Sequence, residues 1–501
     1  MTRRIGWRSS ALLLSLTAPL AAQPAPNAAT AAEDGQPRVE VRDTVPQTTG
    51  FEAKLRAVVG RPAGMTAQRA ARLAERSSPD LEAKRAELAA ARAELDQAMV
   101  GYAPRLNLTA RYTRLSPIDA PSFGPDGANL VATPSPAGPL PPGAPLVAVP
   151  GSALSFPTIL DQYTLQAGLV VPLTDYLSRI PETKAAAGLA AESAGQELEV
   201  TRRAARSNGR LIYYEWVRAR LSRVASTQAV DQARSHVEVV RALQSAERLS
   251  KADVLRAEAA LARAELVDTR ATTLTQVAED RLRAALHDPS PQPYEIGEDL
   301  FASLPSPPAR ALSAMVQDAY RMRPELTALE RSSAALAAKA KATRVSGYPR
   351  LDAFGNAYYA NPNPRYVPQT KEWHATWDVG LQLSWTPNEL ATTSAAGRAI
   401  EARRAALRAQ SARLRDAIRN EVSAARGGLL EAHKSVSTAQ RGLRAAEEAY
   451  RVRAELFRYG RGTSLELTDA ETELLRARLD TINARVDLRA AQVRLDHALG
   501  R

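Results

Sequence analysis

The sequence predicts a mainly α-helical chain that also carries part of a membrane β-barrel: long antiparallel coiled-coil helices plus four strands per chain. Three observations predict it. One unit of helix, strand, loop, strand, long helix, turn and helix runs through the chain twice. Four short segments switch from helical periodicity to strict alternation, apolar on one face and polar on the other, with aromatics in or beside them. Two nearly uninterrupted helical stretches reach on the order of 100 Å at 1.5 Å per residue, too long to stand without partner helices.

Arg3, Arg4 and Arg8 precede a short apolar run, Ala11 to Leu20, and the small residues Ala21-Ala22. Residues 1–22 therefore read as a secretory signal, since spanning a bilayer takes about 20 apolar residues. Residues 23–62, opening on Ala, Pro, Thr and Gln, read as a flexible periplasmic segment. The helical pattern then carries Ala70, Leu73, Leu81, Leu88 and Leu95, with Pro79 opening a second helix, where its missing N–H costs nothing. After Pro104 the period becomes two: Leu106, Leu108, Ala110 and Tyr112 alternate with Arg105, Asn107, Thr109 and Arg111, a strand near 104–113. A Pro- and Gly-dense loop, 116–157, leads to a second strand near 162–173. Helix follows from about Asp175 to Ala246, breaks at Arg248-Leu249-Ser250, and resumes from Lys251 to His287.

A proline-rich linker, 289–309, separates this first unit (63–288) from the second (310–501). There Ala311 to Val345 is helical with Pro324, strands lie near 349–359 and 376–386, and Glu389 to Arg458 forms the second long helix. Gly460 and Gly462 end it, because glycine readily adopts the positive φ that closes a helix. Thr463 or Ser464 caps the last helix. In that helix Leu475, Leu479, Ile482, Val486 and Val493 form an a/d seam. Pro79 and Pro104 match Pro324 and Pro349 at an offset of 245, and Asp253 and Ala257 match Glu466 and Ala470 at 213, so the shortfall falls in the loop between the strands.

Strands with one apolar and one polar face, flanked by aromatics, are the mark of a transmembrane barrel. Tyr112, Tyr163, Tyr358, Trp377 and Trp385 are the expected girdle. Four strands cannot close, small barrels need about eight, and open edges cannot sit in lipid, so several chains must share one barrel; three would supply twelve strands.

Ser78-Pro79-Asp80-Leu81 and Arg323-Pro324-Glu325-Leu326 each lead into a Tyr-(Ala)-Pro-Arg-Leu strand entry. With Gly380-Leu-Gln-Leu-Ser-Trp385, Tyr459-Gly-Arg-Gly-Thr463 and Asp469-Ala470, this doubled order resembles the TolC-like outer-membrane efflux proteins over nearly all of the mature chain. The resemblance implies a homotrimer with a shared twelve-stranded barrel in outer-membrane lipid and an α-helical tunnel crossing the periplasm. It implies an exit duct for a tripartite efflux pump or a type I secretion system. A periplasmic membrane-fusion adaptor and an inner-membrane pump or ABC transporter would meet it at the helical tip. Carried over onto matching positions, Glu466 and Asp469 become pore-constriction candidates, with Asp253 at the first tip. Arg248, Leu249, Ser250, Gly460, Gly462 and Thr463 become adaptor-docking candidates. The first tip departs from the pattern in lacking glycines.

The net charge is +12, with arginines interleaved with acids along the helices rather than clustered, which together with an export signal argues against a nucleic-acid partner. No cysteine is present, so disulfides, thiolate metal sites and cysteine-linked lipids are excluded. No phosphate-binding loop, metal-ligand spacing or nucleophile elbow appears, so the expectation is a non-enzymatic chain without cofactor. The five histidines, at 236, 287, 374, 433 and 497, are scattered and read as surface or packing residues. The rival reading is a soluble periplasmic coiled-coil adaptor or structural protein, which would need only one hairpin.

Overall fold

The computed structural model describes residues 50–501, apart from 118–121, 124–127, 133–138, 140, 141, 144, 151–153, 156, 157, 291 and 303–309. The expected signal segment and residues 23–49 lie outside the described residues. The first unit runs α1 (Gly50–Val58), α2 (Ala67–Ser77), α3 (Pro79–Val100), β1 (Arg105–Arg114), four short strands β2 (Ser122–Phe123), β3 (Ala128–Ala132), β4 (Leu146–Pro150) and β5 (Leu154–Ser155), then β6 (Asp161–Val171), α4 (Leu173–Leu177), α5 (Arg179–Ser245) and α6 (Lys251–Leu286). The second runs α7 (Leu312–Met322), α8 (Pro324–Val345), β7 (Arg350–Asn361), β8 (His374–Ser384), α9 (Pro387–Arg458) and α10 (Ser464–Ala498). Both long helices are present: α5 has 67 residues and α9 has 72, hence roughly 100 to 110 Å of helix each.

β1, β6, β7 and β8 form one antiparallel sheet in that order. Beneath it the helices α3, α5, α8 and α9 pack side by side in the matching order, each the chain continuation of one strand. Farther along, α5 pairs with α6 and α9 with α10, and α5 also packs on α10, so the two hairpins lie against each other. In the long loop, β2 pairs with β5 and β3 with β4, two small ribbons that the Pro- and Gly-rich composition did not announce.

The seam on α10 is inward as expected: Ile482, Val486 and Val493 are buried, and Leu475 and Leu479 pack against the same cluster. That cluster centres on Tyr213 and Trp216 of α5, both fully buried. Burying side chains of this size is worth about 1.5–3 kcal/mol each. A second cluster joins α7 and α8 to α9 and α10, and a third binds all four hairpin helices near their tips.

One expectation is corrected. Residues 50–58, assigned to the flexible N-terminal segment, form α1, because Phe51, Leu55 and Val59 recur every fourth residue and are buried in the central core. The linker is also docked over its described part: Ile296 and Leu300 are buried in the same core, and Met65 bridges Ile296 in parallel. That approach needs glycine on both sides, since a Cβ on Gly64 would lie 2.4 Å from the Gly297 nitrogen.

Candidate functional site

The register fixes what each face of the sheet carries. Leu106 faces Leu169, Leu108 faces Ala167, Ala110 faces Leu165 and Tyr112 faces Tyr163. Tyr359, Ala357 and Gly355 continue these rows on β7, opposite Ala375, Trp377 and Val379 of β8. One face is thus apolar from edge to edge, yet uncovered: Leu108 is 72% and Trp377 71% exposed. An apolar face of this extent is not left to water, and it alternates with a polar face as in a strand lining a barrel.

Aromatics run across the loop end of the apolar face. The Tyr112 and Tyr163 rings lie 5.0 Å apart, Tyr163 and Trp373 6.0 Å, and Trp373 stacks on Tyr359 at 4.8 Å. Tyr112 Oη and Arg114 both donate to Asp161 at this rim. At the helical end Trp385 donates its indole N–H to the Gly347 carbonyl. Of the five expected girdle residues, Tyr112, Tyr163, Trp377 and Trp385 share this face, whereas Tyr358 points to the polar side beneath the Arg365 guanidinium. Tyr359 takes its place, a one-residue slip in a strand with side-chain period two. Trp373 joins this rim from just before β8, outside the alternating run.

The polar face carries Asn107, Gly168, Asn356 and Asp378 in one row and Arg111, Thr164, Ala360 and His374 in another. Asn356 donates to Asp378 Oδ1 at 2.9 Å, and Arg365 reaches the same carboxylate. Where the sheet meets the helices, Arg105, Arg179 and Arg350 surround a pocket of about 580 Å³.

The two tips are copies. At the first, the Arg248 N–H bonds back to Leu243 and Glu247 N–H to Gln244; at the second, Arg461 N–H bonds to Leu456 and Gly460 N–H to Phe457. Both are Schellman closures with a left-handed residue at the turn. Gly460 has φ 69° and Glu247 has φ 58°, so the first tip makes the same turn without glycine. Each is followed by a capping box: Ser250 with Asp253, and Thr463 with Glu466. Asp253 thereby accepts from Ser250 N–H and Oγ and pairs with Arg256. Glu466 accepts from Thr463 N–H and pairs with Arg453 of α9 at 3.0 Å. Asp469, one turn on, is exposed and has no partner among the described residues.

Arg248, Ser250, Gly460 and Thr463 are exposed, Gly462 is half-buried, and Leu249 turns inward onto the tip core. Tyr459 and Leu465 are exposed apolar residues beside the second turn that the spacing argument passed over. His236 was also missed. It is buried, with Nδ1 3.2 Å from Glu471 and Nε2 3.4 Å from Ser464 Oγ, joining α5 to the start of α10. No local pattern announces a pair so distant in sequence.

A one-sided antiparallel sheet that runs directly into helices of this length defines an outer-membrane protein with a periplasmic helical shaft. The chain belongs to the outer membrane efflux protein family, whose profile matches residues 70–287 and 315–501. Its fold is similar to the outer-membrane channel OprN (TM-score 0.66, 20% identity, 89% of this chain and 95% of that one). It is similar to the CmeC outer membrane channel of Campylobacter jejuni (0.67, 14%, 90% and 87%). It also resembles the open state of the MtrE outer membrane channel of Neisseria gonorrhoeae (0.67, 16%, 87% and 88%). No functionally curated protein matches the chain.

Proposed function

We propose that three copies of this chain close one twelve-stranded barrel and that their helices continue it as a periplasmic tunnel, forming a passive exit duct. The observation that carries this reading is the pair of open edges, β1 and β8, flanking a fully exposed apolar face. Unpaired backbone groups cannot stand in hydrocarbon, so each edge needs the opposite edge of another copy. The duct serves a tripartite efflux pump or a type I secretion system, receiving its cargo from an inner-membrane transporter through a periplasmic adaptor that meets the two tips. Three copies of Asp469 on the threefold axis constrict the entrance and attract cations. Asp253 and Glu466 instead hold their turns closed, since capping and ion pairing already occupy their carboxylates.

Electron-microscope images of the detergent-extracted full chain test this. A hollow, threefold, tapered particle well over 100 Å long, as helices of these lengths require, is the expected result. Monomeric rods, or particles that stay dispersed without detergent, overturn it.

A further inference from the structure

We propose that the barrel lumen favours anionic solutes, through Arg105 and Arg111 of β1. This rests on the channel reading above and concerns the barrel segment alone, at the opposite end of the helices from the Asp469 constriction. With the apolar face toward lipid, the polar face lines the lumen. The charged side chains of the four strands on that face are Arg105, Arg111, Arg350, Asp352 and Asp378, and Arg365 reaches in from the β7–β8 connection. Each of the two carboxylates is already taken. Asp352 accepts from Arg350 at 2.9 Å, and Asp378 from Asn356 and Arg365. At the base of the lumen Asp175 is likewise held by Arg179, at 2.5 Å.

Arg105 and Arg111 are left over. Both are exposed, and neither has an acidic partner among the described residues. They form two tiers. Arg105 lies at the helical end, in the pocket it shares with Arg179 and Arg350. Arg111 lies near the loop end, in the row that ends at His374. Glu372, 3.6 Å from His374, and the adjacent Lys371 sit at the rim and offset each other. A neighbouring copy's β8 set against β1 would not change the balance, because the only carboxylate β8 brings to this face is Asp378, which Arg365 holds.

Two unneutralised cations per chain, repeated around a closed barrel, place a positive field inside a low-dielectric wall, where such fields reach several kT in narrow clefts. A potential of only about half a kT per unit charge changes the anion-to-cation ratio in the lumen roughly threefold. Screening over about 8 Å at physiological ionic strength makes the preference weaken as salt rises.

The test is the reversal potential of single channels of the full-length protein in a planar bilayer under a KCl gradient. Replacing both residues, Arg105→Ser with Arg111→Ser, should shift the reversal potential toward potassium and lower the chloride-to-potassium permeability ratio roughly threefold. The single change Arg111→Gln should give part of that shift. Arg114→Ser, which removes an arginine from the lipid-side rim, should give none. With the entrance ring neutralised by Asp469→Asn, inorganic triphosphate should block the current more strongly than a trivalent cation does. An unchanged reversal potential in the double variant, or block of the Asp469→Asn channel by the trivalent cation alone, overturns the assignment while leaving the duct standing. Absence of any conductance steps from the parent overturns the duct itself.

Discussion

Glu247 and Gly460 occupy the same position in two turns 213 residues apart, both left-handed, at φ 58° and 69°. The shared hydrogen-bond closure and the capping box that follows each turn show that tip geometry is set by backbone and caps together. Glycine supplies it freely in one copy; in the other the chain holds a glutamate in a conformation that costs an L-residue roughly 1–2 kcal/mol.

Glu247→Gly should therefore tighten the first tip by about 1 kcal/mol, and Gly460→Ala should loosen the second by a similar amount. Hydrogen exchange of the amides of Gln244 to Arg248 and Phe457 to Arg461 reads both. Slower exchange at the first tip and faster at the second is expected; no change at either would mean that neither φ is strained.

The carboxylates beyond the turns should separate by role. Asp469→Asn should alter conductance or cation preference in a planar bilayer while leaving thermal stability unchanged. Glu466→Gln should weaken its capping box and its pair with Arg453, loosening the tip by up to about 1 kcal/mol. Equal effects of both changes on conductance, with no effect on tip exchange, would place Glu466 in the pore after all.

Arg478 is fully buried on α10, stacked over the Phe51 ring of α1 at 4.6 Å and bonded to Gln232 of α5 at 3.0 Å. Burial pushes its guanidinium down from its ordinary value to about 10. Above about pH 10 the unfolded chain binds more protons than the folded one, so this residue's penalty is full below that pH and eases as pH rises. Arg478→Met should stay within about 1 kcal/mol of the parent, because a buried, incompletely paired charge is exchanged for an apolar side chain of similar length. It should also remove part of the rise in stability on the alkaline side, read as the difference between the two melting curves across that range.

Phe51→Ala, by contrast, should cost about 3–5 kcal/mol locally and release α1. Limited trypsin digestion should then cut at Lys54 and Arg56, sites protected in the parent by the docked helix. Protection unchanged in the variant would show that Leu55 and Val59 hold α1 without the ring.

The exposed apolar face predicts its own environment. In single-tryptophan variants reconstituted with brominated lipid, Trp377 should be strongly quenched and Trp216, buried among the helices, should not. Equal quenching would put the apolar face somewhere other than against acyl chains.

The sequence was most legible where period and repeat reinforce each other. The alternation of Leu106 to Tyr112 marked β1 within one residue, and the α10 seam from Leu475 to Val493 turned inward as its spacing required. Legibility failed where a contact depends on distant partners. Phe51 gives no sign that it will stack on Arg478, and the turn at Glu247 has no glycine to announce its φ. The girdle was read from residue type, and type alone cannot tell Tyr358 from Tyr359 when adjacent strand residues face opposite sides. The resemblance makes Asp253 and Glu466 pore candidates, and what their positions also announce is a cap, since each has a serine or threonine three residues ahead.

α1 packs on α5 and also meets α10 where Arg478 stacks over Phe51, and this second contact sets an order of events in biogenesis. Phe51 precedes Arg478 by more than four hundred residues, so α1 can settle on α5 early but the face of its ring that Arg478 covers must wait for α10. Exposed apolar surface of this kind is what makes incomplete chains aggregate. A chain stalled before α10 would thus keep the Phe51 ring open to water on the side that Arg478 covers in the finished molecule.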